Sequence, residues 1–282
     1  MSKKKASAYV CSDCGADYTK WQGQCTECGT WNTLTEIRLG PAKSGGSRSR
    51  STGYAGAANG DVKTLQEISV DELPRISTGT DEMDLVLGGG LVPGSCVLIG
   101  GEPGAGKSTL LLQILCKLGE SKKTLYVTGE ESPQQVAMRA QRLGLPTDKV
   151  QIMAETSVET VCATAEVIAP DILVVDSIQV MNLEDITSAP GSVSQVRESA
   201  AMLVRFAKQT NTVLLLVGHV TKDGSLAGPK VLEHMIDCSL MLEGSQDSHF
   251  RTLRSHKNRF GAVNELGVFA MTERGLKEVA NP

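Results

Sequence analysis

Gly101-Glu102-Pro103-Gly104-Ala105-Gly106-Lys107-Ser108 is the stretch that decides the fold. It fits G-x-x-x-x-G-K-[ST], a loop that cradles nucleotide phosphates with its backbone N–H groups. Glycines let such a loop turn tightly and approach phosphate oxygens. Lys107 brings a point charge to the β- and γ-phosphates, and Ser108 offers its hydroxyl to Mg²⁺. Upstream lies Ser95-Cys96-Val97-Leu98-Ile99-Gly100, a short buried-strand pattern. Downstream lies Thr109-Leu110-Leu111-Leu112-Gln113-Ile114-Leu115-Cys116, a buried-helix pattern. Strand, glycine loop and helix is the order the chemistry requires, because the helix N-terminus adds its own anion site. Gly101 through Thr109 are therefore the expected contacts for ATP.

Beyond the loop the chain alternates between strand and helix. Thr124–Thr128, Val150–Met153, Asp171–Asp176 and Thr212–Val217 read as buried strands, and Ser132–Leu143, Val158–Ile168 and Ser194–Gln209 as helices. This pattern predicts an α/β fold with a mostly parallel sheet covered on both faces. Asp237–Glu243, Phe250–Ser255, Val263–Thr272 and Leu276–Val279 read as antiparallel edge strands.

Parallel sheets bind ligands at the C-terminal ends of their strands, and candidate chemistry falls there. Asp176 follows four apolar residues and is the expected second Mg²⁺ partner beside Ser108. Glu130 stands where a general base polarises the attacking water, with Glu131 a rival for that role. His219, at another strand end, is a candidate γ-phosphate sensor. In Ser255-His256-Lys257-Asn258-Arg259-Phe260-Gly261 a strand period of two puts Lys257 and Arg259 on one face, able to reach a neighbouring subunit's γ-phosphate. A charged edge strand that discourages aggregation is the plainer reading of the same residues.

The eight cysteines divide into two groups. Cys96, Cys116, Cys162 and Cys238 are scattered through apolar segments, where a free thiol behaves as a small hydrophobe. Cys11-x-x-Cys14-Gly15 and Cys25-x-x-Cys28-Gly29 form two pairs separated by ten residues. Four thiolates at this spacing predict a tetrahedral Zn²⁺ site with no open position, hence a structural metal in a module at residues 9–36. Trp21 and Trp31 flank the second pair; they are read as the mini-core of a small ribbon, with base stacking as the alternative. Residues 37–61 are rich in Gly, Ser, Ala and Arg and read as a flexible linker, leaving 62–282 for the ATPase domain.

The 282 residues carry a net charge of −4, but unevenly: residues 1–50 hold eight Lys/Arg against four Asp/Glu. That asymmetry suits a basic arm touching nucleic acid. No apolar run approaches the ~18 residues of a membrane span, and Met1–Lys5 has no apolar stretch behind it to make a signal peptide.

Taken jointly, the four-cysteine ribbon with Trp21-Gln22-Gly23-Gln24-Cys25, the loop Gly101–Thr109, the strand Tyr126-Val127-Thr128-Gly129-Glu130-Glu131-Ser132 and the motif Lys257-Asn258-Arg259-Phe260-Gly261 resemble the RadA/Sms family of RecA-like bacterial DNA repair proteins. The resemblance runs from about residue 9 to the end of the chain. It implies a RecA-like core in a ring-shaped hexamer with ATP at subunit interfaces. It further implies ATP-dependent branch migration or helicase-type unwinding of recombination intermediates on single-stranded and branched DNA, in the bacterial cytoplasm, beside a RecA-type recombinase. An ATP-gated single-strand-binding scaffold that assists a recombinase without unwinding is the alternative. On the same grounds Lys257 and Arg259 become catalytic or DNA-coupled cations, and the loops at about 182–193 and 219–230 become DNA-facing, with Lys222 and Lys230 as phosphate contacts. Family members carry a further C-terminal domain resembling the Lon protease fold; the chain stops at Pro282 before one fits and reads as a fragment.

Overall fold

The structure, a computed structural model, describes residues 7–11, 13–38, 64, 66, 74–219, 231–244 and 248–279. Most of the expected linker and both Lys222 and Lys230 lie outside these residues.

The N-terminal module is a three-stranded antiparallel sheet of β1 (Ser7–Cys11), β2 (Asp17–Tyr18) and β3 (Leu34–Arg38), with β1 in the middle. The larger unit begins with helix α1 (Asp81–Leu87) and continues as β4 (Cys96–Gly100), α2 (Lys107–Leu118), β5 (Thr124–Thr128), α3 (Pro133–Leu143), β6 (Val150–Ala154), α4 (Val158–Ile168), β7 (Ile172–Asp176), α5 (Val193–Thr210), β8 (Val213–Val217) and α6 (Val231–Met235). It closes with β9 (Cys238–Glu243), β10 (Phe250–Asn258), β11 (Leu266–Thr272) and β12 (Gly275–Glu278). These strands form a nine-stranded sheet in the order β12-β11-β10-β9-β4-β8-β7-β5-β6. The run from β9 to β6 is parallel; β10, β11 and β12 add antiparallel on the far side of β9. The expected mostly parallel sheet forms, but the reading of Asp237–Glu243 as an antiparallel edge strand is corrected: β9 runs parallel to β4 and lies between β4 and β10, so the antiparallel part begins at β10 and only β12 is an edge on that side.

Strand periodicity separates two apolar clusters. Val97 and Ile99 of β4 pack with α1, α2 and α3, whereas Cys96 and Leu98 pack with α4, α5 and α6. Strands β4, β5, β7 and β8 are buried throughout, which explains their largely apolar sequence. At the edge, β6 has only one neighbour and is half exposed.

Two boundaries move by three residues. Strand β10 extends three residues past the expected end at Ser255, to Asn258, pairing with β9 through an irregularity between Ser255 and Lys257. Strand β11 starts at Leu266 rather than Val263. The loop at 182–192 is organised by buried Gln195 of α5. Its amide donates to the carbonyls of Leu183, Ile186 and Ser188 and accepts from the Leu183 N–H at 3.0 Å. That loop contains Glu184 and Asp185 and no Lys or Arg.

Candidate nucleotide site and zinc ribbon

Strand β4 delivers the chain to the phosphate loop, and α2 begins at Lys107. The flanking strands crowd this loop. A Cβ at Gly101 (φ 151°) would stand 2.4 Å from the Leu242 carbonyl oxygen of β9. One at Gly106 (φ 106°) would stand 2.9 Å from Met271 Cε of β11. At Gly101 glycine is required by close approach to backbone as well as by conformation, whereas at Gly106 the positive φ decides, since the end of the Met271 side chain can move aside. Lys107 is buried, and its Nζ donates to the carbonyls of Gly101 at 2.7 Å and Glu102 at 2.9 Å. Burial lowers its pKa, against the opposing pull of the Asp176 and Glu130 carboxylates. Arg251 of β10, which sequence reasoning missed, is also buried and donates from Nε to the Ala105 carbonyl at 3.2 Å. Its signal was phase: Arg251, Leu253 and Ser255 alternate along β10 and all three are buried.

The pairing of β5 with β7 sets Thr128 beside Asp176, so the two strand ends present their acids together. Asp176 is buried and accepts a 2.5 Å hydrogen bond from the Tyr126 hydroxyl. Burial, reinforced by that carboxylate, raises the Tyr126 pKa and keeps the phenol a donor. The two adjacent glutamates part company. Glu131 forms an ion pair with Arg139 of α3, and its backbone is pinned to the Thr128 hydroxyl. Glu130 accepts from the Ser177 hydroxyl, one residue past Asp176, and its Oε1 lies 3.3 Å from His219 Nε2. Glu130, Ser177 and His219, from three different strand ends, thus meet around one carboxylate oxygen.

Lys257 and Arg259 lie elsewhere. Asn258 pairs with Cys238, and Cys238 pairs with Val97 near the start of β4. Lys257 pairs with Ser239, level with Leu98, and Arg259 reaches Asp237 at the level of Cys96, so the two stand three and five residues before Gly101 along the strands, about 10 and 16 Å at ~3.3 Å per residue. Lys257 is on β10, whereas Arg259 lies just past it, but both turn toward α6. Lys257 Nζ donates to the Glu233 and Ile236 carbonyls, and Arg259 to the His234 carbonyl. Arg259 Nη1 also meets Asp237 Oδ1 at 3.0 Å. That buried carboxylate holds Lys208 at 2.9 Å and the Cys96 N–H at 3.0 Å as well.

In the ribbon, Cys11, Cys14, Cys25 and Cys28 bring their sulfurs within 4.8 Å of one another. Cys11–Cys28 is 3.7 Å and Cys14–Cys25 3.4 Å. A Zn²⁺ with Zn–S bonds near ~2.3 Å in a tetrahedron spaces its sulfurs by about 3.8 Å, so the donor set fits zinc. Hydroxyls surround it: Tyr18 Oη lies 3.2 Å from Cys25 Sγ, Thr33 Oγ1 3.1 Å from Cys11 Sγ and Thr30 Oγ1 3.0 Å from Cys28 Sγ. The Tyr18 hydrogen bond brings the Cys25 thiol down to about 6, while burial pushes Cys14 up to about 12. The mini-core reading of the tryptophans is corrected here. Cys11, Cys25 and Leu34 fill the interior with Tyr9 and Tyr18 against them, leaving Trp21 57% and Trp31 67% exposed. Sulfurs and tyrosines already occupy the space that two indoles would need.

The KaiC ATPase family model matches residues 76–166, and the rubredoxin metal binding domain model matches residues 9–36. Fold and sites together define a RecA-like P-loop ATPase domain, whose cofactors are ATP and Mg²⁺, preceded by a Cys₄ ribbon for Zn²⁺. DNA repair protein RadA of Escherichia coli K12 is 64% identical over 283 residues, covering 100% of this chain and 62% of that protein. RadA of Pseudomonas aeruginosa is 60% identical over 282 residues and RadA of Bacillus subtilis 47% over 291, each covering 100% of this chain and 61% of the relative. The chain is thus similar to RadA proteins along its whole length. It spans about 62% of the length of the curated relatives it matches.

Proposed function

We propose that the chain is the ATP-hydrolysing part of a DNA motor in recombinational repair. It acts on single-stranded and branched DNA in the bacterial cytoplasm as a homo-hexamer, beside a RecA-type recombinase. The observation that carries the reading is the divergence of the two glutamates: Glu131 is committed to Arg139, while Glu130 is held by Ser177 and His219 next to Asp176. A poised carboxylate at the phosphate site suits turnover rather than mere nucleotide binding.

Lys107, now held by loop carbonyls, exchanges those partners for phosphate oxygens when nucleotide enters. Ser108 and Asp176 would hold Mg²⁺, which supplies charge neutralisation on the phosphates. Glu130 takes a proton from the attacking water, and Ser177 and His219 fix the orientation of the accepting oxygen. Lys257 and Arg259, set back from their own phosphate loop, serve the γ-phosphate of a neighbouring subunit; an inserted cation of this kind is worth ~10³–10⁵ in rate. Lys222 and Lys230 are assigned to the DNA backbone, whose binding is salt-dependent and sequence-blind. Among the described residues no helix is long and apolar enough to cross a membrane.

The test is ATP turnover with and without single-stranded DNA, together with strand displacement on a forked substrate, for this chain and Lys107→Ala. DNA-stimulated turnover and displacement, both lost in Lys107→Ala, are expected. ATP-dependent DNA binding with neither response would move the reading to the recombinase-assisting scaffold.

A further inference from the structure

We infer that Tyr126 is a positioning residue for Mg²⁺: its phenol holds one oxygen of the Asp176 carboxylate, leaving the other oxygen and the full negative charge for the ion. This rests on the reading of Asp176 as a Mg²⁺ partner and adds the residue that orients the acid itself. Tyr126 pairs with Val174, two positions before Thr128 pairs with Asp176. A strand period of two therefore puts the tyrosine and the acid on one face. The offset along the strands is about 6.6 Å at ~3.3 Å per residue, which a tyrosine side chain spans. The ring is buried in the apolar cluster beside α2, and its hydroxyl donates to Asp176 Oδ2 at 2.5 Å.

The choice of donor is what sets Asp176 apart. Asp237, the other strand-end acid buried in this domain, is neutralised by Lys208 and Arg259. Among the described residues Asp176 forms no ion pair, and the Tyr126 hydroxyl is the hydrogen-bond donor to its side chain. The Lys107 ammonium feels the Asp176 charge, yet its Nζ donates to the Gly101 and Glu102 carbonyls. A cation at Asp176 would cancel the charge that a divalent ion needs. A neutral phenol fixes the carboxylate and keeps that charge. Outer partners of this kind orient a ligand and tune metal affinity without touching the metal.

The experiment reads Mg²⁺ binding rather than turnover. Fluorescent N-methylanthraniloyl ADP is titrated into the whole chain in EDTA and then across a Mg²⁺ series, for the parent, Tyr126→Phe, Asp176→Asn and the double variant. Tyr126→Phe should raise the half-saturating Mg²⁺ concentration ~10–100-fold while affinity in EDTA holds. Asp176→Asn should raise it at least as far, and adding Tyr126→Phe should then change little, because the phenol acts through the carboxylate. Affinity that falls equally in EDTA and in Mg²⁺ marks a packing defect and overturns the inference, as do additive effects in the double variant. A Mg²⁺ dependence moved by Asp176→Asn but not by Tyr126→Phe overturns the inference and leaves Asp176 in its role. One moved by neither removes both. A second measurement leaves Tyr126 in place. The chain has four tyrosines, so 3-fluorotyrosine labelling in a Tyr54→Phe background leaves Tyr9, Tyr18 and Tyr126. The two ribbon resonances are identified by their response to zinc chelation. The third should move when Mg²⁺ joins bound ADP, and a resonance that stays in place overturns the inference.

Discussion

Among its described residues the ribbon encloses three buried ones, Cys11, Cys25 and Leu34, whereas the ATPase domain builds two apolar clusters on the two faces of its nine-stranded sheet. Two of the ribbon's three are expected zinc ligands. A module so small cannot bury enough apolar surface to offset its chain entropy, so metal binding replaces the core. The domain relies on burial instead, and that frees its strand ends to hold acids and a lysine that burial alone would not favour. One chain therefore contains a unit stabilised by its site and a unit that stabilises its site.

The comparison breaks most readily at the metal. Chelating zinc, or Cys25→Ala, should unfold the ribbon, since structural zinc supplies ~10–16 kcal/mol in small fingers. Tryptophan emission should shift, while the main calorimetric transition of the domain stays in place. A domain transition that falls with zinc would show the two units to be one. Next in size is Glu130→Gln, expected to lower kcat by ~10²–10⁴-fold with little change in KM for ATP; zinc content should not move. Glu131→Gln, which breaks only the Arg139 pair, should have a much smaller effect, and a larger one would exchange the two roles. Leu98→Ala, in the cluster under α4 and α5, should cost ~2–5 kcal/mol by urea denaturation and leave zinc retention untouched. Smallest is Tyr18→Phe, which removes one hydroxyl from the thiolate shell. Zinc affinity should weaken by ~10–100-fold, measured by competition with a chromogenic chelator, with the domain's melting unchanged.

What the sequence shows depends on how local the physics is. The phosphate loop, Asp176 after its apolar strand and the paired cysteines are each set by neighbours within a few residues, and all are legible as spacing. The choice between Glu130 and Glu131 is not, because it depends on Arg139 a helix away and on Ser177 and His219 from other strands. Arg251 hides for a similar reason: its partner, Ala105, is 146 positions distant. Asp237 reads as a strand-start acid until Lys208, Arg259 and the Cys96 N–H converge on it. The tryptophans fail differently. Their size argues for burial, but how much interior a ribbon has left depends on where its sulfurs and tyrosines settle.

The separation of Lys257 and Arg259 from their own phosphate loop gives the chain a head and a tail. If those cations complete a neighbour's site, each copy is finished by the next, and a two-fold dimer cannot satisfy both partners in that way. An open row of such copies always ends on one incomplete engine, and only closure into a ring removes it. Assembly would then act as an ignition key: a lone or terminal copy would bind its fuel without burning it, and consumption would start where the circle is whole.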